Sequence, residues 1–454
     1  MSDRGNFASK IGIILATAGS AVGLGNIWRF PVETGSHGGA AFILIYLACV
    51  CILGIPMMTA EFILGRRTHS NIATAYQQLA PRQPWYLTGY AGMLCVTLIL
   101  SYYSVVAGWT LKYAMSALLT EMSSVTDTEA YFNDFSSSVW APIAYTVSFL
   151  LITHVIIERG IERGIERFSK IMMPLLLLIM VVLVVGALSM PGAKEGLTFL
   201  LRPDFSKLSP DVILSALGQA FFSLSLAIGC LSTYASYFKN DVNLSRTALS
   251  VVSLDTLVAI MSGFIIFPAV FSVAGVAPDA GPGLVFITLP NIFSTVFASM
   301  PMLGYIFSLM FYVLLVLAAL TSTISMHEEV TAFIHERYQL SRRRSAGIMT
   351  SVCIILGILC CLSYSSLRDF KPFFGMGFFD AFNYLTAKFI MPLSGIVLCL
   401  FVGWRMGRRN VREELSNHGA LHIPDWMCGT FIFFLRWIAP LSIALIFINE
   451  LGLF

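Results

Sequence analysis

The first apolar segment of the chain contains the stretch Ala18-Gly19-Ser20-Ala21-Val22-Gly23-Leu24-Gly25-Asn26-Ile27-Trp28-Arg29-Phe30-Pro31. It carries three glycines, Asn26 and Arg29 where an ordinary membrane helix carries leucine and valine. Each glycine weakens a helix by about 1 kcal/mol relative to alanine, and an ionisable group at membrane depth normally faces a cavity or a partner. The stretch therefore predicts a membrane helix that is broken near mid-depth and exposes backbone groups to a ligand.

The composition indicates a polytopic membrane protein. The chain has 454 residues, of which 57% are hydrophobic and 12% charged, and its mean hydropathy is +0.80. A soluble domain carries about 25% charged residues. The net charge of +3 comes from short basic clusters between apolar segments, a pattern of topology signals that predicts no nucleic-acid partner. The nine cysteines lie in apolar segments without CxxC spacing, which predicts neither a disulfide framework nor a zinc site.

Eleven apolar segments are long enough to cross a bilayer, which takes about 20 helical residues. We place these spans at 11–36, 40–64, 87–119, 141–157, 171–190, 211–237, 247–275, 302–334, 346–364, 374–404 and 427–450. The proline-rich piece 278–301 is too short and too interrupted to cross. It is predicted to be an outer loop with a short helix.

The basic residues predict a cytoplasmic N-terminus. With the N-terminus inside, the cytoplasmic ends of the spans hold most of the lysines and arginines, including the run Arg342-Arg343-Arg344. The outer loops then hold few of them, such as Lys194 and Arg368. This asymmetry follows the positive-inside rule, and the opposite orientation would reverse it.

A second interrupted segment, 218–229, lies in the sixth span and reads Gly-Gln-Ala-Phe-Phe-Ser-Leu-Ser-Leu-Ala-Ile-Gly. Its position in the sixth span corresponds to the position of the first stretch in the first span, five spans earlier. Because five is odd, spans six to ten must be inverted relative to spans one to five. Paired interrupted helices in two inverted halves indicate a binding site at the membrane midplane. The alternative is that glycine and serine here only permit close helix packing.

Several motifs in order resemble one known family. They are Gly19 to Pro31, Gly38-Gly39-Ala40-Ala41-Phe42, Gly54-Ile55-Pro56 with Glu61 and Gly65-Arg66, Tyr102-Tyr103 with Trp109, Gly218 to Ser225, Thr233 to Tyr237, and Leu320-Thr321-Ser322. The chain resembles the neurotransmitter:sodium symporters over its whole length, and particularly the short bacterial members that carry amino acids. The resemblance implies an all-α membrane fold of eleven helices, with a five-plus-five inverted repeat and broken first and sixth helices. Within a single domain, 1–454, it implies repeats at 11–190 and 211–404 and an eleventh helix at 427–450.

The resemblance also implies a site for an amino acid substrate. The substrate carboxylate would meet the backbone N–H groups of Leu24 and Gly25, the Tyr103 hydroxyl and a sodium ion. Its amino group would meet the carbonyls of Ala21 and Phe222 and the Ser225 hydroxyl. Gly23 stands where monoamine carriers of the family have aspartate, which favours an α-amino acid. The remaining substrate contacts implied are Ser20, Ile99, Ser223, Ile228, Ser322 and Met326, and these mostly apolar side chains suit a neutral, hydrophobic substrate.

Two sodium sites and no organic cofactor are implied in the same way. The first would use Ala21, Asn26, Ser223 and Asp255 together with the substrate carboxylate. The second would use Gly19, Val22, Ala318, Thr321 and Ser322. The alternative for Thr321 and Ser322 is hydrogen bonding to their own helix.

Asp255 departs from the pattern of the family. Many relatives have asparagine there and bind chloride nearby, at positions corresponding to Tyr46, Gln219 and Ser223. A fixed carboxylate can supply the negative charge that chloride otherwise brings, so we predict chloride-independent transport. The alternative is that Asp255 only caps the seventh helix.

Residues at both ends of the pathway resemble gates. On the outer side Arg29 would pair with Asn383, which replaces the usual acid, or with Asp380 one turn away. The inner gate would consist of Arg4, Phe7, Tyr237 and Glu336.

We therefore expect a sodium-coupled symporter of a neutral, hydrophobic amino acid that works by alternating access and is not an enzyme. A bacterial inner membrane is favoured because the loop 121–140 is short and the one N-x-S/T match, at Asn243, is predicted to be cytoplasmic. Membrane lipid is an expected partner, and the oligomeric state is left open. The alternatives are a transporter of an osmolyte or amine and a non-transporting sensor. No filter-like repeat favours a channel, and no metal-type histidine spacing favours a membrane enzyme.

Overall fold

The computed structural model describes residues 5–121, 125, 127–273 and 283–452, and regular structure within them is helical. Nine helices in this part of the chain are long and apolar enough to cross a membrane without a sharp break. Their bounds are Ala40–Thr68, Tyr86–Leu118, Trp140–Glu158, Ile161–Ala187, Leu244–Val270, Pro301–Tyr338, Arg342–Leu362, Phe378–Arg405 and Asp425–Glu450.

Two further spans are broken, which confirms the eleven-span interpretation. The first consists of Lys10–Ala21 and Gly25–Ser36, which meet at an angle of 58°. The sixth consists of Pro210–Ser223 and Cys230–Ala235, separated by non-helical residues. The division into repeats at 11–190 and 211–404 stays a prediction.

The helix of the fifth span is longer than the apolar segment predicted to cross the membrane. We predicted that segment to begin at about residue 171, whereas the helix begins at Ile161. The segment 161–170 holds several charged residues and therefore lies outside the apolar run, yet the helix continues through it. Charge limits how far a helix enters the hydrocarbon region but does not end the helix.

Shorter helices connect the spans. They are Ile72–Leu79, Thr128–Ser137, Ala193–Leu201, Phe205–Lys207, Leu284–Val296 and Arg408–Leu415. The helix Leu284–Val296 confirms the short helix predicted within 278–301, although residues 278–282 lie outside the described residues. Side chains of the fifth span such as Leu178, Val181 and Val185 are exposed, as expected for a surface that faces lipid.

The break in the first span is stabilised within the stretch itself. Val22, which follows the first half-helix, has extended backbone angles. The Asn26 side-chain oxygen accepts a hydrogen bond from the Gly23 N–H over 2.9 Å. This bond satisfies a backbone donor that no helical carbonyl reaches, as a buried break requires.

The break in the sixth span uses residues with positive φ. Ser225, Ala227 and Gly229 have φ of 50°, 66° and 98°, a region that is costly for residues with a Cβ. Glu61 of the second span stabilises this conformation by accepting hydrogen bonds from the Ala227 N–H (2.6 Å) and the Ser232 N–H (3.3 Å). The acid in the second span therefore holds the unwound segment in place.

Candidate functional site

A cavity of about 170 Å³ lies where the two broken spans meet. Most of the residues predicted for the substrate line it, namely Ala21, Gly23, Gly25, Ile99, Tyr103, Phe222, Ser223, Ser225, Ile228, Ser322 and Met326. Leu24 and Ser20 are buried behind this lining. Residues that the sequence analysis did not assign to the substrate also line the cavity, among them Tyr102, Ala387 and Met391.

The end of the cavity at the first break offers hydrogen-bond donors. The Leu24 N–H donates to the Tyr103 hydroxyl oxygen over 3.0 Å, and that hydroxyl in turn has a proton to donate. A Cβ on Gly23 would lie 2.6 Å from Ser322 Oγ and 3.1 Å from the Tyr103 hydroxyl. Position 23 is therefore closely packed, and a larger side chain there must displace its neighbours.

The other break contributes a hydroxyl. Ser225 Oγ donates to the Ser20 carbonyl over 3.4 Å. The two broken spans are thus joined directly across the cavity. The Ser20 hydroxyl itself is buried without a hydrogen-bond partner among the described residues.

The residues predicted for the first sodium site form a closed cluster. The Asn26 Nδ2 group donates to Asp255 Oδ1 over 2.7 Å and to Ser223 Oγ over 3.0 Å. Ser223 Oγ donates to Asp255 Oδ2 over 2.9 Å. Asp255 is fully buried and holds two side chains from the two broken spans. Oxygens dominate the cluster, as a hard cation prefers.

The oxygens predicted for the second sodium site also converge. Ser322 Oγ donates to the Val22 carbonyl over 3.0 Å, and Thr321 Oγ1 to the same carbonyl over 3.3 Å. Thr321 additionally bonds its own helix at the Ala318 carbonyl over 3.0 Å. Gly19 packs against Thr321, because a Cβ on Gly19 would lie 3.2 Å from Thr321 Cβ. Thr321 thus bonds both its own helix and the first span, whereas Ser322 bonds the first span.

Buried polar groups surround the Asp255 cluster. The Tyr46 hydroxyl and both polar atoms of the Gln219 amide have no hydrogen bond of standard geometry within the described chain. Tyr46 and Gln219 are at positions where, by the resemblance, relatives of the family are expected to bind chloride. In this chain the Asp255 carboxylate stands beside Ser223, the third of those positions.

The outer gate differs from the expectation. Arg29 was predicted to pair with Asp380 or Asn383, but its ion pair among the described residues is with Glu33, where Arg29 Nε lies 3.5 Å from Oε1. Its guanidinium also lies 4.5 Å from the centre of the Phe222 ring. Glu33 is one turn further along the same helix, a spacing that favours such pairs. Arg29 and Asn383 both line the cavity, so closure through Asn383 requires movement.

An aromatic and ionic network closes the end of the pathway that is predicted to be cytoplasmic. Phe7 is buried, and its ring centre lies 6.3 Å from that of Tyr237. The Tyr237 hydroxyl donates to Glu328 Oε1 over 2.8 Å, and Arg342 pairs with the same carboxylate through both terminal nitrogens. The sequence analysis missed Glu328 and Arg342, although an acid within an apolar span is a readable signal.

The pairing of the two other predicted gate residues, Arg4 and Glu336, stays a prediction. Glu336 Oε2 accepts a hydrogen bond from Asn71 Nδ2 over 2.7 Å. Arg4 lies outside the described residues.

A separate ion pair lies on the surface. Lys10 Nζ lies 3.1 Å from Asp241 Oδ2, and this hydrogen bond lowers the pKa of Asp241. Both side chains are exposed, so the pair contributes little to stability.

Broken membrane spans that meet at a midplane cavity define a secondary transporter. Comparison with known proteins supplies the family. The model of the sodium:neurotransmitter symporter family matches residues 4–137 and 137–453. The chain belongs to this family, and it is a sodium-dependent, multi-pass membrane transporter rather than an enzyme.

Individual relatives agree with this assignment. An uncharacterized sodium-dependent transporter, YhdH, of Bacillus subtilis is 39% identical over 453 residues, which cover 98% of each chain. The sodium- and chloride-dependent taurine transporter of Bos taurus is 25% identical over 97% of this chain and 79% of its own. The crystal structure of MhsT in complex with L-phenylalanine has a TM-score of 0.88 and 40% identity, covering 98% of this chain and 100% of that one.

Proposed function

We propose that the protein couples the entry of sodium to the uptake of a neutral, mainly hydrophobic α-amino acid by alternating access. The observation that carries this proposal is the pairing of the Leu24 N–H with the Tyr103 hydroxyl at the break of the first span. These groups suit a carboxylate, because N–H groups at a broken helix attract anions and the Tyr103 hydroxyl still has a proton to donate. Gly23 adds no acid that would repel a carboxylate.

The cavity lining supports the choice of substrate. Arg29 carries the formal charge among the described lining residues, and it is positive, which suits a substrate carboxylate. Ile99, Ile228 and Met326 provide apolar surface for a side chain. The neighbour MhsT was crystallised with L-phenylalanine, which supports an amino acid and makes aromatic side chains the first to test.

Two sodium ions, carried as co-substrates, complete the proposal. The first would bind at Asn26, Ser223 and Asp255, next to the substrate carboxylate, so that each binding strengthens the other. The second would bind between the first and eighth spans at the Val22 carbonyl, Thr321 and Ser322. Occupancy of the second site would hold the first span against the eighth, because the ion would bridge oxygens from both.

We infer that transport does not need chloride. Mammalian relatives are named as sodium- and chloride-dependent. In this chain the Asp255 carboxylate accepts hydrogen bonds from Asn26 and Ser223 and thus supplies a fixed negative charge beside the proposed first sodium site.

The proposed location is a bacterial inner membrane with the N-terminus in the cytoplasm. The distribution of lysine and arginine supports this orientation, and the transporter of Bacillus subtilis supports a bacterial setting. Labelling of single cysteines placed in opposite loops of whole cells tests it. Labelling from outside at the run 342–344 would contradict the orientation.

Uptake by purified protein in liposomes tests the function. An inward sodium gradient in chloride-free gluconate buffer, with a mixture of the twenty amino acids outside, should accumulate one or more hydrophobic amino acids. A potassium gradient is the control and should give no accumulation. Uptake of taurine or an amine in preference to all amino acids would contradict the substrate class, and binding without accumulation would indicate a sensor.

A further inference from the structure

Two buried acids lie beside the unwound segment of the sixth span, apart from the substrate and sodium sites. Glu61 belongs to the second span and Glu329 to the eighth, and they are 1% and 0% exposed. Neither carboxyl group has an ion pair with lysine, arginine or histidine within the described residues. Two carboxyl groups buried without a cation are rare, because an uncompensated buried charge is strongly unfavourable.

The two acids differ in their hydrogen bonds. Glu61 accepts three, from the N–H groups of Ala227 and Ser232 and from Ser232 Oγ at 3.2 Å. Such donors stabilise an ionised carboxylate. Glu61 therefore fits its surroundings as the anion.

Glu329 lacks this compensation. Its Oε2 accepts a hydrogen bond from Cys230 Sγ over 3.1 Å, while its Oε1 is buried without a partner in the described chain. Oε1 points at Gly229, where a Cβ would collide with it. The unpartnered oxygen is thus aimed at the part of the sixth span that is unwound.

Among the described residues, the titratable groups around Glu329 add no positive charge. Cys230 of the sixth span, Cys95 of the third and Glu61 of the second face it. Tyr76 and Cys399 interact with Glu61. The negative charge of Glu61 opposes ionisation of Glu329, because two like charges at short range disfavour each other.

We propose that Glu329 is a proton-binding site. It holds a proton while the sixth span packs over it, and it releases the proton to water when the segment around Gly229 moves away. The carboxylic acid O–H bond breaks, the electron pair stays on Glu329, and water takes the proton. This inference goes beyond the proposed function, because the ligand is a proton and the site is separate from the cavity.

Infrared spectroscopy of the purified full-length protein tests the protonation. The wild type should show a carboxylic acid C=O band that shifts in deuterated water and that is lost in Glu329→Gln. Glu61→Gln is the matched control and should retain the band, since the donors around Glu61 favour its ionised form and Glu329 stays buried without a cation in that variant. Retention of every carboxylic acid band in Glu329→Gln would overturn the proposal. A wild-type band seen only in sodium-free buffer would also overturn it, because the site would then bind a cation.

Hydrogen exchange at residues 224–235 tests the coupling to movement and needs no transport. The measured exchange rates are first corrected for the intrinsic pH dependence of amide exchange. Because opening releases one proton, the corrected rate in the wild type should then rise by up to about tenfold for each unit of increase in pH. Glu329→Gln should show no such dependence. A corrected exchange rate in the wild type that does not change with pH would overturn the coupling. Failure of amino acid uptake would contradict the proposed function but would leave this result unaffected.

Discussion

Replacement of Gly23 by alanine offers a quantitative test of the second sodium site. The new Cβ would lie 2.6 Å from Ser322 Oγ and 3.1 Å from the Tyr103 hydroxyl, distances that force both groups to move. Ser322 Oγ would turn away and lose its bond to the Val22 carbonyl, whereas the Tyr103 hydroxyl would shift by a few tenths of an ångström. A hydrogen bond has a net value of about 0.5–1.5 kcal/mol, and we take this as the size of the interaction that the displaced Ser322 hydroxyl no longer makes at the proposed sodium site.

A loss of about 0.5–1.5 kcal/mol corresponds to about 2- to 13-fold weaker sodium binding. The assay is the rise in melting temperature with sodium, measured without substrate, since a ligand of the folded state stabilises it in proportion to its affinity. Gly23→Ala should need about 2- to 13-fold more sodium for half of the effect. Gly25→Ala is the matched control, because a Cβ on Gly25 meets nothing within 4 Å. Equal sodium dependence in Gly23→Ala and the wild type would refute the role of Ser322 as a ligand.

Three further changes have definite expected outcomes. Asp255→Asn should reduce sodium-driven uptake at least about tenfold in chloride-free buffer, because the two hydrogen bonds to residue 255 lose the contribution of the carboxylate charge. Added chloride should restore uptake, and unchanged uptake without chloride would contradict the charge argument. Asn26→Leu should abolish sodium-dependent amino acid binding in a protein that still elutes as a folded species, and normal uptake would exclude Asn26 as a ligand. Gly65→Ala should lower the melting temperature through overpacking that costs about 1–3 kcal/mol, since its Cβ would collide with the Ser232 carbonyl; Gly347→Ala, with open space around it, should not.

The broken spans could be predicted from sequence because their signal is local. Glycine and polar residues within an apolar run are visible without knowledge of any other segment, and they mark backbone that cannot be satisfied within one helix. The resemblance then supplied partners for Asn26 that lie far along the chain. Ser223 and Asp255 do bond Asn26 in the structure, although their role as sodium ligands stays a prediction.

Pairings that depend on conformation were not accessible in this way. Arg29 had two candidate partners across the cavity, yet the structure pairs it with Glu33 on its own helix. The spacing of four residues was visible in the sequence, but a gate alternates between partners, and the sequence does not say which conformation is the more stable. Glu328 and Arg342 were missed as partners of Tyr237 because the three residues come from three different spans.

The hydrogen bonds of Asn26 give Asp255 a positioning role in addition to its charge. A side-chain amide presents an oxygen on one side and a nitrogen on the other. With Nδ2 donating to Asp255, the oxygen Oδ1 faces the Gly23 N–H, at the break where the substrate carboxylate is proposed to bind. Rotation of the amide would direct Oδ1 at the Asp255 carboxylate, which is electrostatically unfavourable. Asp255 therefore fixes the orientation of Asn26, and because Oδ1 has two lone pairs, it can accept from Gly23 and still face a sodium ion.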